Sequence, residues 1–270
     1  CLDGELGLVA RSSGMQVFQD EATLGASLPS LLPITETLVE INVLPNRPDC
    51  MGMIGIAREV AAILGTKLKY PVQRGSTTGL PADSQSLSIA IEDDSLCTRY
   101  VCQEFKGVRV GPSPHWLKSR LLIAGQRPIN NVVDITNFIL LEWGQPLHAF
   151  DADTLAGNRI EIRRLAPGEH LELLNDTRLD LLADNRIELT RKRKERDSVL
   201  LEPVDSENRP LVIADAEKPI ALAGVMGGEV TQTQINTRRV LLEVAHFNPV
   251  CIRTTSRRVD LKSESSKRFE

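Results

Sequence analysis

Membrane-spanning runs, leader segments and paired cysteines are all missing from this sequence, and each absence narrows what the chain is. No apolar stretch reaches the roughly 20 residues that a bilayer-crossing helix needs, and no charged-then-apolar leader stands at the front. The five cysteines, at 1, 50, 97, 102 and 251, are an odd number, widely scattered, with no Cys-x-x-Cys pair and no histidines at zinc-finger spacing. That usage predicts reduced thiols, a cytoplasmic setting and no structural metal. Positive charge is not in excess either. At a formal net charge of −4, any contact with a phosphate backbone must come from a local basic patch rather than a general field. An initiator methionine and a terminating signal are missing as well, which predicts a piece of a longer polypeptide.

What is present is the composition of a globular protein. With 270 residues, 41% hydrophobic and 25% charged, the chain can fill one or two cores. Residues 1–35, rich in Gly, Ser and Leu, read as the tail of a small β-rich module. Residues 36–72 read as a small βα module. It has a strand over Val39–Leu44, a Pro-bounded turn, and a helix with Ile54, Ala57, Ala61 and Leu64 on its apolar face, stopped by Gly65. Residues 73–86 have linker composition. From 87 to 270 strands and helices alternate irregularly, which predicts an α+β domain. Inside it, the charge run over 189–208 reads as a solvated insertion or hairpin, with a phosphate grip by Arg191, Lys192, Arg193 and Lys194 as the alternative.

Three stretches within that domain bear on chemistry. In "NVVDITNFILLEWGQPLHAFD", Asn131 is the expected N-cap and Asp134 supplies first-turn negative charge. Val132, Ile135 and Ile139 form the expected apolar face, broadened by Phe138 and Leu141, and Gly144 and Pro146 end the helix. Thr136 and Asn137 are weak helix formers placed mid-helix. Either they serve a site, or Thr136 bonds back to the preceding turn and Asn137 faces water. His148, one of four histidines, is open to the same two readings. "PIALAGVMGGEV" lacks the Gly-x-Gly-x-x-Gly spacing of a dinucleotide site, leaving a Gly-lined wall. In "RRVLLEVAHF", alternation puts Glu243 on one face with Leu241 and Ala245. Buried there without a partner, its carboxylate would cost several kcal/mol or be driven to protonate; on a solvated face it would merely point outward.

These stretches, with "PNRPDC", "IGIAREVAAILG" and "SESSKRFE", stand in an order that resembles the β subunits of bacterial phenylalanyl-tRNA synthetases from Val39 to Glu270. "CLDGELGL" at the front resembles the end of their oligonucleotide-binding-fold module. The resemblance implies a central tRNA-editing domain that hydrolyses tyrosine misattached to phenylalanine tRNA. It implies a pocket lined by His148 and Glu243, with Asn131, Thr136 and Asn137 on one wall. Ala223, Gly224 and Gly227 form the wall where the aromatic ring rests, and Ser263 and Ser265 lie nearby. Thr136, Asn137 and His148 are then expected to position water or the substrate amine. A buried hydrogen-bond acceptor at Glu243 fits such a sieve, because an apolar pocket alone separates tyrosine from phenylalanine weakly. The implied partners are phenylalanine tRNA and an α subunit, in a complex of two α and two β. ATP and magnesium belong to the parent complex, with no cofactor or metal in this segment. The competing expectation is a non-catalytic tRNA-binding and structural module whose editing has decayed.

Overall fold

The computed structural model describes residues 25–27, 37–44, 46–71, 87–192 and 197–270. The expected module tail over 1–35 (apart from 25–27), the linker over 73–86, and Arg193 and Lys194 of the charge run lie outside them. The architecture is α+β, as expected.

Helix α1 (Met53–Ile63) forms where its apolar spacing predicts, and Gly65 ends it at a φ of +63° that a side chain would resist. Leu64 is not on a buried face as expected; it is 68% exposed. The helix docks by its beginning instead: a Cβ on Gly52 would overlap the backbone of Trp143 and Gly144. The strand expected over Val39–Leu44 does not form. Among the described residues no strand edge pairs with the segment, and alternation alone supplies no partner for its N–H and C=O groups.

The remaining chain builds three sheets. Strands β1 (Ser88–Ile91), β4 (Arg159–Arg164), β9 (Leu211–Ala214), β10 (Pro219–Leu222) and β11 (Met226–Gly227) form the first, in the order β1-β4-β9-β10-β11, with β1 and β4 parallel. All four residues of β9 and all four of β10 are buried, so these strands have core on both faces. Strands β2 (Cys97–Lys106), β12 (Arg239–Phe247) and β3 (Leu147–Asp151) form an antiparallel sheet with β12 in the middle. Strands β5 (His170–Glu172), β6 (Thr177–Leu181), β7 (Ile187–Arg191) and β8 (Asp197–Leu200) form a four-stranded meander. Within the charge run, β7 and β8 pair as a hairpin, and Arg191, Lys192 and residues 198–200 are exposed. Lys192 bridges Glu172 at 2.9 Å and Glu229 at 2.8 Å, which occupies one of the cations the phosphate grip needed.

Between β2 and β3 run helices α2 (His115–Ile123) and α3 (Asn131–Trp143); after β12 come α4 (Pro249–Arg258) and α5 (Glu264–Phe269). Helix α3 ends at Gly144 with φ +76°, as expected. Its cap, however, is Asn130, whose Oδ1 accepts from the N–H groups of Val132 and Val133, each at 3.0 Å. The buried face also differs from the apolar one expected. Asp134, Thr136 and Leu140 are buried while Ile135 is 50% exposed, because Asp134 is tied into the 111–130 connection.

Candidate functional site

A cleft of about 230 Å³ opens where the three-stranded sheet, α3, the β10–β11 turn and α5 meet. Of the ten residues expected at the site, eight line it: Thr136, Asn137, His148, Gly224, Gly227, Glu243, Ser263 and Ser265. Asn131 and Ala223 do not. Asn131 turns the other way, accepting from Gly111 N–H at 3.0 Å and donating to the Arg109 carbonyl at 2.9 Å. Ala223 is 1% exposed and packs in the core behind the wall.

Strand register sets the centre of the site. Glu243 on β12 lies directly opposite His148 on β3 and Cys102 on β2, so the three side chains form one row across the sheet. Alternation along β12 holds as expected: Leu241, Glu243, Ala245 and Phe247 are buried. The acid therefore faces inward, 5% exposed, and its Oε2 is shut off from solvent with no donor at hydrogen-bonding distance among the described residues. Burial pushes the Glu243 carboxyl up to about 8, opposed only by the nearby Tyr100 phenol. Burial pushes His148 down to about 4, and its Nε2 is likewise enclosed and unpaired. Both groups are uncharged at neutral pH. The centre of the cleft is thus a neutral carboxyl, able to donate and to accept, beside a neutral imidazole.

The glycines act differently from expectation. Gly224 has φ +66°, and a Cβ there would crowd Ile252, Phe247 and Phe269 at 2.9–3.2 Å. A Cβ on Gly227 would run into the His148 ring and come within 2.9 Å of Leu174. The room both glycines leave is taken by side chains of this chain rather than kept bare for a ligand. Gly227 lets the imidazole lie against main chain, and His148 also stacks edge-on against Phe150 with centroids 4.5 Å apart.

On the helical wall, Thr136 lines the cleft and its Oγ1 donates to the Val133 carbonyl at 2.7 Å, the local back-bond the sequence allowed. Asn137 is half-buried and lines the cleft rather than facing water. Ser263 has a structural duty: it caps α5 by accepting from Ser266 N–H at 3.0 Å and donates to the Val225 carbonyl at 2.8 Å, fastening α5 to the Gly-rich turn. Glu264 on the rim is paired with Lys267 at 2.7 Å and Arg268 at 2.8 Å. Sequence reasoning missed Leu174, Phe247 and Phe269 in the lining. Phe247 shares the alternation face of Glu243 and was findable; nothing in the sequence marks Leu174, which reaches the cleft from the β5–β6 turn. Among the described residues no three His, Cys, Asp or Glu gather as a metal site.

The B3/4 domain family matches residues 96–270, and the chain belongs to it. Over its whole length the chain is also similar to phenylalanine–tRNA ligase beta subunits. It is 43% identical over 270 residues to that of Geobacter metallireducens, covering 100% of this chain and 30% of the relative. It is 42% identical to that of Carboxydothermus hydrogenoformans, covering 98% and 30%. The chain thus spans about 30% of the length of these relatives. A solved N-terminal fragment of the phenylalanyl-tRNA synthetase beta-subunit from Pyrococcus horikoshii is 15% identical over 79% of this chain and 58% of its own, with a TM-score of 0.36, too distant to carry an argument.

Proposed function

We propose that this segment is the editing part of a phenylalanine–tRNA ligase beta subunit, and that its cleft hydrolyses tyrosine misattached to phenylalanine tRNA. The observation that carries this reading is the buried, uncharged carboxyl of Glu243 in the wall of the cleft. A phenol entering the cleft donates to that carboxyl and completes its hydrogen bonding. A benzyl side chain leaves the cleft-side oxygen of that carboxyl dehydrated and without this donor, so the site favours tyrosine.

The bond to be broken is an ester between the amino acid and the terminal ribose, already reactive. Water attacks the carbonyl carbon, the carbon–oxygen bond to ribose breaks, and a proton passes to the ribose oxygen. Asn137, Thr136 and His148 position the water or the substrate amine. His148, held down to about 4, is too weak a base at neutral pH to lead the reaction, which favours positioning over obligatory general-base catalysis. Within the same reading the parent complex joins two α and two β subunits in the cytoplasm and charges phenylalanine tRNA with ATP and magnesium at a site outside this chain.

The test is deacylation of tyrosine- and phenylalanine-charged phenylalanine tRNA by the assembled complex carrying this segment. Tyrosine is expected to be released faster. Glu243→Ala is expected to cut that preference roughly 10- to 100-fold, the worth of one hydrogen bond to a buried polar group. Background-level loss of both esters by a folded complex overturns the reading; if tRNA still binds in a salt-dependent way, the segment is a tRNA-binding module. Unchanged selectivity in Glu243→Ala overturns the role of the acid.

A further inference from the structure

A second unpaired polar atom lies behind Glu243, on the side of the sheet row away from the cleft. Tyr100 on β2 pairs with Ala245 on β12 while Glu243 pairs with Cys102, so Tyr100 is one diagonal step from the acid on the same sheet face. Diagonal neighbours are within reach when both side chains are long. Tyr100 is 8% exposed, does not line the cleft, and its hydroxyl is enclosed with no partner, as is Glu243 Oε2. A phenol donor and a carboxyl acceptor, both buried and both unpaired, are complementary. The Tyr100 ring packs against Phe247, with centroids 6.5 Å apart, and its hydroxyl has two polar neighbours, the Cys102 thiol and the Glu243 carboxyl, of which the carboxyl is the stronger acceptor.

We infer that Tyr100 is the positioning residue for Glu243, its phenol donating to the carboxyl from inside the sheet while the acid meets the cleft ligand with its other oxygen. The inference rests on the editing reading for its consequence, since it makes an internal phenol the fixed counterpart of the phenol that enters the cleft. Tyr100 never contacts substrate. It holds one carboxyl oxygen so that the other is aimed before the ligand arrives, the preorganisation a selective site requires.

The groups that titrate around the carboxyl separate cleanly. Tyr100 is pushed well above 10, first by burial and then by Glu243, so it stays a donor throughout. The Cys102 thiol is pushed up to about 12 and the Cys97 thiol to about 11, both chiefly by burial, and His148 is down at about 4. Among these neighbours, a transition near pH 8 belongs to Glu243 alone.

The test uses the full chain, with the pH midpoint at which the buried carboxylic-acid infrared band disappears, assigned by its absence from Glu243→Gln. Tyr100→Phe keeps the ring and removes the donor, so the midpoint is expected to rise by about one pH unit, and the tyrosine preference in deacylation to fall roughly tenfold. An unmoved midpoint in folded Tyr100→Phe overturns the inference. The chain has only two tyrosines, Tyr70 and Tyr100, so fluorotyrosine labelling gives a second measurement if that variant fails to fold. The Tyr100 fluorine resonance is expected to follow the Glu243 midpoint, the Tyr70 resonance to ignore it, and Glu243→Gln to abolish the response. A Tyr100 resonance that does not follow it overturns the inference. If the midpoint moves but the wild type deacylates neither ester, the positioning role stands and the editing reading fails.

Discussion

Asp134 and Glu243 are both buried acids, 0% and 5% exposed, yet their surroundings are opposite. Asp134 accepts from Ser113 Oγ at 2.5 Å and from Ile129 N–H at 2.7 Å, stitching the start of α3 to the connection before it. Asp151 is of the same kind, accepting from Thr237 Oγ1 at 2.5 Å and Asp153 N–H at 3.1 Å. Glu243 has an oxygen with no partner at all. A buried acid with all its donors in place is architecture; one beside a single phenol, bordering an open cleft, is left short of donors, a cost that the fold alone does not explain.

The contrast breaks first at Asp134. Asp134→Ala orphans the buried Ser113 hydroxyl and removes the acceptor of the Ile129 N–H, so it is expected to destabilise by about 3 kcal/mol, read as a lower urea midpoint at unchanged slope. A loss under about 1 kcal/mol would erase the distinction between the two acids.

Glu243 sharpens it through pH. Its folded carboxyl titrates at about 8, above the ordinary 4.5, so between those values the folded chain keeps a proton the unfolded chain has released, and stability falls as pH rises. His148 works the other way: its folded value of about 4 lies below 6.5, so stability grows with pH up to 6.5 and is then complete. The two trends oppose each other between about pH 4.5 and 6.5, and Glu243 acts alone above that. From pH 6.5 to 8 the wild type is expected to lose about 1 kcal/mol, and Glu243→Gln to lose none over the same window in urea titrations.

The smallest effect is at Ser263, where the hydroxyl is satisfied on both sides. Ser263→Ala removes the α5 cap and is expected to cost about 1 kcal/mol, with the loss appearing as faster amide exchange in 264–269.

Much of this was legible in the sequence because it rests on local rules. The exit of α3 at Gly144, the alternation of β12 and the Gly-rich turn follow from residue types and spacing, whereas which face of β12 turns inward does not, because both faces carry apolar residues. The cap of α3 was misplaced by one, since Asn130 and Asn131 are chemically alike and only the neighbouring 109–111 segment decides which turns inward. The meander was hidden by brevity. Thr177, Leu179 and Leu181 alternate inward with Arg178 and Asp180 between them, but three- to five-residue strands flanked by charge read as surface. Helix α4 carried a usable sign that went unread, Asn248 as cap with Pro249 behind it. The row His148–Glu243–Cys102 was not legible at all, because register between segments a hundred residues apart is a tertiary fact.

Strand β12 enters the chain last of its sheet and sits between β2 and β3, which come some 140 and 95 residues earlier in their pairings with it. As the polypeptide leaves the ribosome, β2 and β3 therefore wait with bare edges that have nothing to hold, the kind of surface that invites pairing with a stranger. A product cut short before β12 therefore lacks both the acid and the strand that covers those edges, and the cleft is not complete until Phe269 has emerged.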